Sequence, residues 1–405
     1  VHNRIPGTYI PSFVEWFKLD YSRLPGYGSI ERNDIMVFNW PVGDSVIIHD
    51  DVIAHDYYSI LRNEAFLNCA IDLRAIDQNG RITLSYEKYQ KYIDTYMKST
   101  RKSFIEGGSI RQSPAGRAIE KTEGIATLPI DKKENYIKRC VAIGGDTFEI
   151  KANRIYINGV MEDLPPEALF GYRFYFKPGY GLPYDDILEK YEVYSDQHYL
   201  GNEMVRKYIK DTILPNISID SVSTDSLSVV QKPIDLIVNF ERLICSPQTS
   251  AELANLPGLD SVVVENQEKG TNQIEYGQYC GVFPNDPSFD WTRDNFGPLY
   301  IPAKDGTIKL SKENWIIYRR TIEVYEQNKV EIKDDGIYIN DVLSTTYTFK
   351  QNYYWLMGDN RHGSADSRYW GFVPEDHVVG TSSFVWFSKH IEVGIRWSRI
   401  FSFVK

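Results

Sequence analysis

The sequence predicts a mainly β fold carrying a large inserted α+β cap, on three observations. Aromatic residues make up 14% of the 405, with 29 Tyr, and such side chains favour strands over helices. Two stretches, Gly28 to Pro41 and Glu134 to Asp146, read as strands that open from or run into turns. One hairpin-like text occurs twice. A chain of this length with 42% hydrophobic residues buries more than one core, so two domains are expected.

In chain order, GSIERNDIMVFNWP alternates after Asp34 and stops at Trp40-Pro41, as a strand does. From Ser85 to Ile105 the period changes: Tyr89, Tyr92, Ile93, Tyr96 and Met97 recur at three- and four-residue steps, predicting an amphipathic helix packed on a neighbour. Gly107, Gly108 and Arg111 to Gly116 read as an exposed loop. ENYIKRCVAIGGD, Glu134 to Asp146, sets Lys138 and Arg139 between apolar residues of a strand. FEIKANRIYING, Phe148 to Gly159, recurs 182 positions on as VEIKDDGIYIND, Val330 to Asp341. Each copy reads as a hairpin with an Asn- or Asp-containing turn; a packing role is the favoured reading, and the alternative is that the two are the ends of one inserted domain, pairing where the chain leaves and rejoins its parent sheet. Between them lie turn-rich sequence, helix patterns at Tyr184 to Tyr194 and Asn202 to Ile209, and strands at Ser226 to Gln231 and Leu236 to Phe240. The expected division is a catalytic β domain over 1–151, with a helical insertion at about 52–125, a cap over 152–345, and the rest of the β domain over 346–405.

A net charge of −10 argues against a nucleic-acid partner, since phosphate binding needs clustered Lys and Arg. No window approaches 18 consecutive apolar residues, so no span is read. Cys69, Cys140, Cys245 and Cys280 show no C-x-x-C spacing and the seven His no H-E-x-x-H, so neither a metal site nor a cofactor is implied. Cys140 reads as a buried thiol, and a Cys245–Cys280 bridge is the one pairing considered.

The segment WLMGDNRHGSADSRYWGFVPEDHVVG, Trp355 to Gly380, holds Asp359, Asn360, Arg361, Ser364, Asp366, Ser367 and Arg368 between apolar strands. That is more hydrogen-bonding capacity than a turn requires. Asp366 and Arg368, two apart, suit a bracing ion pair, leaving Ser364 to point at a separate partner. His362 and Asp366 beside Ser364 do not make a triad, whose members meet through folding rather than by crowding in one loop. G-x-S-x-G, Walker A and G-x-G-x-x-G signatures are absent.

Taken together, RNDIMVF (Arg32 to Phe38), YIKRCVAIGGD (Tyr136 to Asp146) and GDNRHGSADSRYWGFVP (Gly358 to Pro374) resemble, in order, three motif boxes of bacterial type I signal peptidases. IRWSRIF near the C-terminus resembles that family's closing strand. The resemblance implies a signal-peptidase-like, mostly antiparallel β catalytic domain with a Ser/Lys dyad, in a form with long insertions. Its lysine falls on Lys138, the general base for a serine nucleophile. A free lysine has a pKa of about 10.4, so neutrality near pH 7 to 8 requires a depression of roughly two to three units, about 3 to 4 kcal/mol, which an apolar strand can supply. Ser364 is implied to orient the Lys138 amine. Asp359, Asp366 and Arg368 are implied to support the loop, with Arg139 pairing one of its carboxylates.

The family's nucleophile lies in an S-M-x-P box, which occurs nowhere in these 405 residues; Ser12, Ser22 and Ser29 precede the first box without its context. The chain starts at Val1, so upstream sequence is expected, and the chain as given is expected to be inactive. Implied in full are removal of signal peptides from exported preproteins at the outer, periplasmic face of the cytoplasmic membrane, an N-terminal anchor, and an extended substrate beside the lysine strand. Val141, Ala142 and Ile143 are candidate walls of its small-residue pockets. Pro11 to Phe17, Phe384 to Phe387 and Ile400 to Phe403 offer aromatic rings for a membrane surface or, equally, for the core. The competing readings are a non-catalytic module that binds extended peptides or a secretion partner, and a purely structural exported domain.

Overall fold

The computed structural model describes residues 26, 28–49, 56–76, 82–84, 88–89, 91–111, 118–130, 133–166, 168–177, 180–182, 240–270, 274–275, 278–279, 281–286, 288–390 and 394–403. Antiparallel strands dominate, in two compact units: Val1–Glu162 with Glu268–Gly358 and Ala365–Lys405, and Asp163–Gln267 with Asp359–Ser364.

The first unit is built on a five-stranded sheet in the order Val373–Pro374, Tyr353–Met357, Asn135–Ala142, Ile35–Asn39, Val378–Thr381. Every residue of Tyr353–Met357 is buried. Alternation explains it: Tyr353, Trp355 and Met357 enter one core with Phe148, Phe296 and Phe372, while Tyr354 and Leu356 enter another with Met36, Phe38, Trp40, Cys140 and Trp370. A strand covered on both faces has no solvent side. Beside the sheet, the helices Tyr57–Asp72 and Ile93–Ile105 share a core of Tyr57, Ile60, Leu61 and Phe104. The first is capped by Asp56, whose carboxylate accepts from Tyr58 N at 2.9 Å. The second starts at Ile93 rather than Ser85, because Tyr92 takes a non-helical φ of −120°.

Both copies of the repeated text are hairpins, Thr147–Lys151 with Arg154–Ile157 and Val330–Lys333 with Gly336–Ile339. In the first, Ala152 and Asn153 both have positive φ, 46° and 68°, the twist a two-residue hairpin loop requires. The copies also share a lock: Asn158 Oδ1 accepts from Thr147 N at 2.8 Å, and its counterpart Asn340 from Lys329 N at 3.0 Å. They do not pair with each other, so the alternative of pairing at the ends of an insertion is not met. Phe296–Tyr300 and Val160–Met161 occupy the two edges of the first hairpin, and the second forms its own sheet with Val342–Ser344.

The second unit is a sheet in the order Leu259–Val264, Phe170–Phe176, Phe240–Cys245, with the helix Pro247–Leu253 capped by Ser246 Oγ. Phe174, Phe176, Leu182, Leu243, Cys245 and Leu253 form its core. Its bounds are narrower than the 152–345 segment expected for the cap. The patterns at 184–194, 202–209 and 226–231, most of 236–240, the loop positions 112–116, the aromatic cluster 11–17, Ser12, Ser22 and Cys280 lie outside the described residues. Cys69, Cys140 and Cys245 are buried free thiols, so the considered bridge from Cys245 does not form.

Candidate active site

Lys138 lies on the central strand Asn135–Ala142, opposite Met36 on one neighbour. The other neighbour, Tyr353–Met357, pairs with Arg139 through Met357 and runs straight into the polar loop. The lysine strand and the strand that launches the loop are therefore hydrogen-bonded partners. Lys138 is half-buried, and Arg139, buried, donates from Nη1 to Asn33 O at 3.0 Å. Cys140 sits in the apolar layer, where burial pushes its thiol well above the ordinary range. Val141 and Ala142 place their side chains inside the core, and Ile143 is half-buried at the strand's end.

Asp366 and Arg368 make the pair that their spacing predicts. Nε and Nη2 of Arg368 donate to the two Asp366 oxygens at 2.9 and 2.8 Å, with both residues no more than 1% exposed. The carboxylate also accepts from Gly358 N at 3.2 Å and caps the short helix Ser367–Trp370 through Arg368 N. Desolvation works against the guanidinium proton, but the Asp366 charge and hydrogen bonds outweigh it and raise the Arg368 pKa. Ser367 Oγ accepts from Leu356 N at 3.0 Å. Asp359 and Ser364, both half-buried, belong to the segment Asp359–Ser364 of the second unit, where Asp359 O accepts from Leu169 N at 2.9 Å.

Three arrangements escaped sequence reasoning. Arg32 donates from Nε to Asp146 at 2.9 Å and forms a second, shorter ion-paired contact through Nη2. Asp146 also accepts from Ile143 N and Asn158 Nδ2, both at 3.0 Å. Burial raises the Asp146 carboxyl, and these donors more than offset it, leaving the pKa below the usual value. Second, Lys133 Nζ meets His377 Nε2 at 2.8 Å while His377 Nδ1 meets Asp376 Oδ1 at 2.6 Å. Burial lowers Lys133 to about 8. Third, His362 Nδ1 accepts from Gly171 N at 2.8 Å. No residue spacing announces such contacts, whose partners stand 114, 244 and 191 positions apart. Among the described residues, no group of three or more His, Cys, Asp or Glu is arranged to hold a metal ion.

Comparison with known proteins gives a consistent result. The family described as signal peptidase, peptidase S26, matches residues 109–200 and 339–387. Signal peptidase I of Buchnera aphidicola subsp. Baizongia pistaciae is 49% identical over 216 residues, 51% of this chain and 64% of that protein. Signal peptidase I of Haemophilus influenzae is 26% identical over 157 residues, 36% and 42%, and that of Rickettsia typhi 29% over 167, 40% and 51%. The matched region thus spans 42% to 64% of these relatives' length. With the lysine strand paired to the strand that launches the braced polar loop, the chain is similar over these matched stretches to signal peptidases of the S26 family.

Proposed function

We infer that this chain is the catalytic region of a Ser/Lys endopeptidase that removes N-terminal signal peptides from exported preproteins. The observation that carries the reading is the pairing of the lysine strand with the strand that launches the polar loop. Lys138 serves as general base: its amine takes the proton of a serine hydroxyl as that oxygen attacks the scissile carbonyl, then activates water to release the acyl-enzyme. Ser364 orients the amine, and the buried Asp366–Arg368 pair fixes the loop that carries it. The serine belongs to the S-M-x-P box, which is not among these 405 residues.

The backbone of Val141 to Ile143, at the end of the lysine strand, receives an extended substrate, with the half-buried Ile143 as one wall. No helix among the described residues is long and apolar enough to cross a membrane. The C-terminal segment offers a surface for the bilayer: Phe384, Trp386, Phe387, Trp397, Phe401 and Phe403 are all exposed, Trp397 at 75% and Phe403 at 79%. Such rings settle at the headgroup level, which supports action at a membrane surface; the outer face of the cytoplasmic membrane is what the family resemblance implies.

In the full-length gene product, Lys138→Ala should lower preprotein cleavage by roughly 10²- to 10⁴-fold, the span of general-base catalysis, with an unchanged circular dichroism spectrum. Processing is read on gels from a radiolabelled preprotein. Cleavage at the parental rate would remove Lys138 from the chemistry.

A further inference from the structure

The segment Asp359–Ser364 is stitched to the second unit's sheet. Leu169 N donates to Asp359 O at 2.9 Å and Arg361 N to Leu169 O at 2.8 Å, a parallel bridge between Leu169 and Asn360. Two residues on, Gly171 N donates to His362 Nδ1 at 2.8 Å. The His362 side chain is 0% exposed and stands edge-on to Phe170 at 5.7 Å. An imidazole that accepts through Nδ1 carries its proton on Nε2, so this bond selects one tautomer.

The other side of the contact is equally constrained. Glu265 Oε2 lies 3.7 Å from His362 Nδ1. Arg242 holds that carboxylate with bonds of 2.8 and 2.9 Å, and Arg173 approaches it at 3.5 Å. Glu265 N donates in turn to Gly171 O at 2.8 Å. A Cβ on Gly171 would fall 2.5 Å from Glu265 Oε2 and 3.1 Å from Arg242 Nη2, so a larger residue there makes these side-chain ends shift beside the imidazole. A turn of six residues needs none of this to form. What the imidazole fixes is the path of the backbone two residues before Ser364.

We propose that His362 is a positioning residue for Ser364, and that the inserted unit, through Gly171 and Glu265, sets where that hydroxyl stands. This rests on the Ser/Lys reading above. A displacement of about 1 Å is enough to cost on the order of 10²-fold in rate.

The test compares His362→Leu, His362→Asn, His362→Gln and Gly171→Ala in the full-length gene product. Asn places its oxygen near the position of Nδ1, whereas Gln reaches toward that of Nε2. His362→Leu and Gly171→Ala should lower kcat roughly 10- to 100-fold with little change in KM; Asn should restore most of the loss and Gln should not. Because His362 acts through Ser364, adding His362→Leu to Ser364→Ala should cost nothing further. Equal rates for Leu and wild type, equal rates for Asn and Gln, or full additivity with Ser364→Ala would each overturn the proposal. Should Leu prevent folding, the Asn and Gln pair carries the comparison. The Ser364 amide shift in this chain gives a readout without turnover: it should move in His362→Gln and return in His362→Asn, and an unmoved resonance counts against the idea. Lys138→Ala separates the two levels, since cleavage surviving that change sinks the Ser/Lys reading, whereas its loss alongside inert His362 variants sinks this inference alone.

Discussion

Asp366 shows what a single buried charge is worth here. Its carboxylate neutralises an Arg368 that is 1% exposed and also satisfies backbone donors at Gly358 and Arg368. Asp366→Ala would leave the guanidinium without its counter-charge in the core, and breaking a buried pair by removing one partner costs about 3–5 kcal/mol. Urea unfolding followed by tryptophan fluorescence should show that loss, and a midpoint within error of wild type would mean the pair is not structural. Spacing alone foretold this contact, because two residues in one tight loop have few ways to avoid each other. The Arg32–Asp146 clasp and the His362 acceptor were invisible for the opposite reason: their geometry exists only after distant segments have packed.

At the scale of elements, the period-2 patterns were legible. Ile35–Asn39, Asn135–Ala142 and both hairpins appear where alternation and turn residues place them. Strand neighbours were not legible, since alternation fixes which face is buried and says nothing about which edge is already taken. One consequence is the junction at the end of Ile35–Asn39, where Asn39 Nδ2 reaches Asn135 Oδ1 at 2.9 Å. There, the Lys133–His377 contact links the residues that precede the two flanking strands. Lys133 is lowered to about 8 by burial, against about 10.4 for an unfolded lysine. Between these values the unfolded chain binds a proton that the folded chain has released, so this group adds stability as pH rises and the gain is lost as pH falls through about 8. Lys133→Met should flatten that part of the profile; denaturant midpoints at pH 7.5 and 10 for both proteins measure the difference. An identical slope in both would exclude Lys133 as its source.

For the whole molecule, the exposed C-terminal rings give the proposed membrane contact a mode that can be tested. Trp386, Trp397, Phe401 and Phe403 are exposed, so the proposed attachment through these rings would be apolar. Binding to zwitterionic phosphatidylcholine vesicles should therefore persist at 0.5 M salt and fall roughly 10-fold or more in a Trp386→Ala/Trp397→Ala protein. Flotation assays separate bound from free chain, and binding that vanishes with salt would contradict the apolar mode.

Each of three cores encloses one sulfhydryl: Cys69 among Phe66 and Tyr89, Cys140 on the lysine strand, Cys245 in the second unit. Burial holds Cys245 up at about 12 and keeps the other two protonated beyond the usual range, and a protonated, enclosed sulfur does not react. In a Cys280→Ser background, the order in which alkylating reagents tag the three during gradual denaturation would thus be a clock, reporting which compartment of the protein lets water in first.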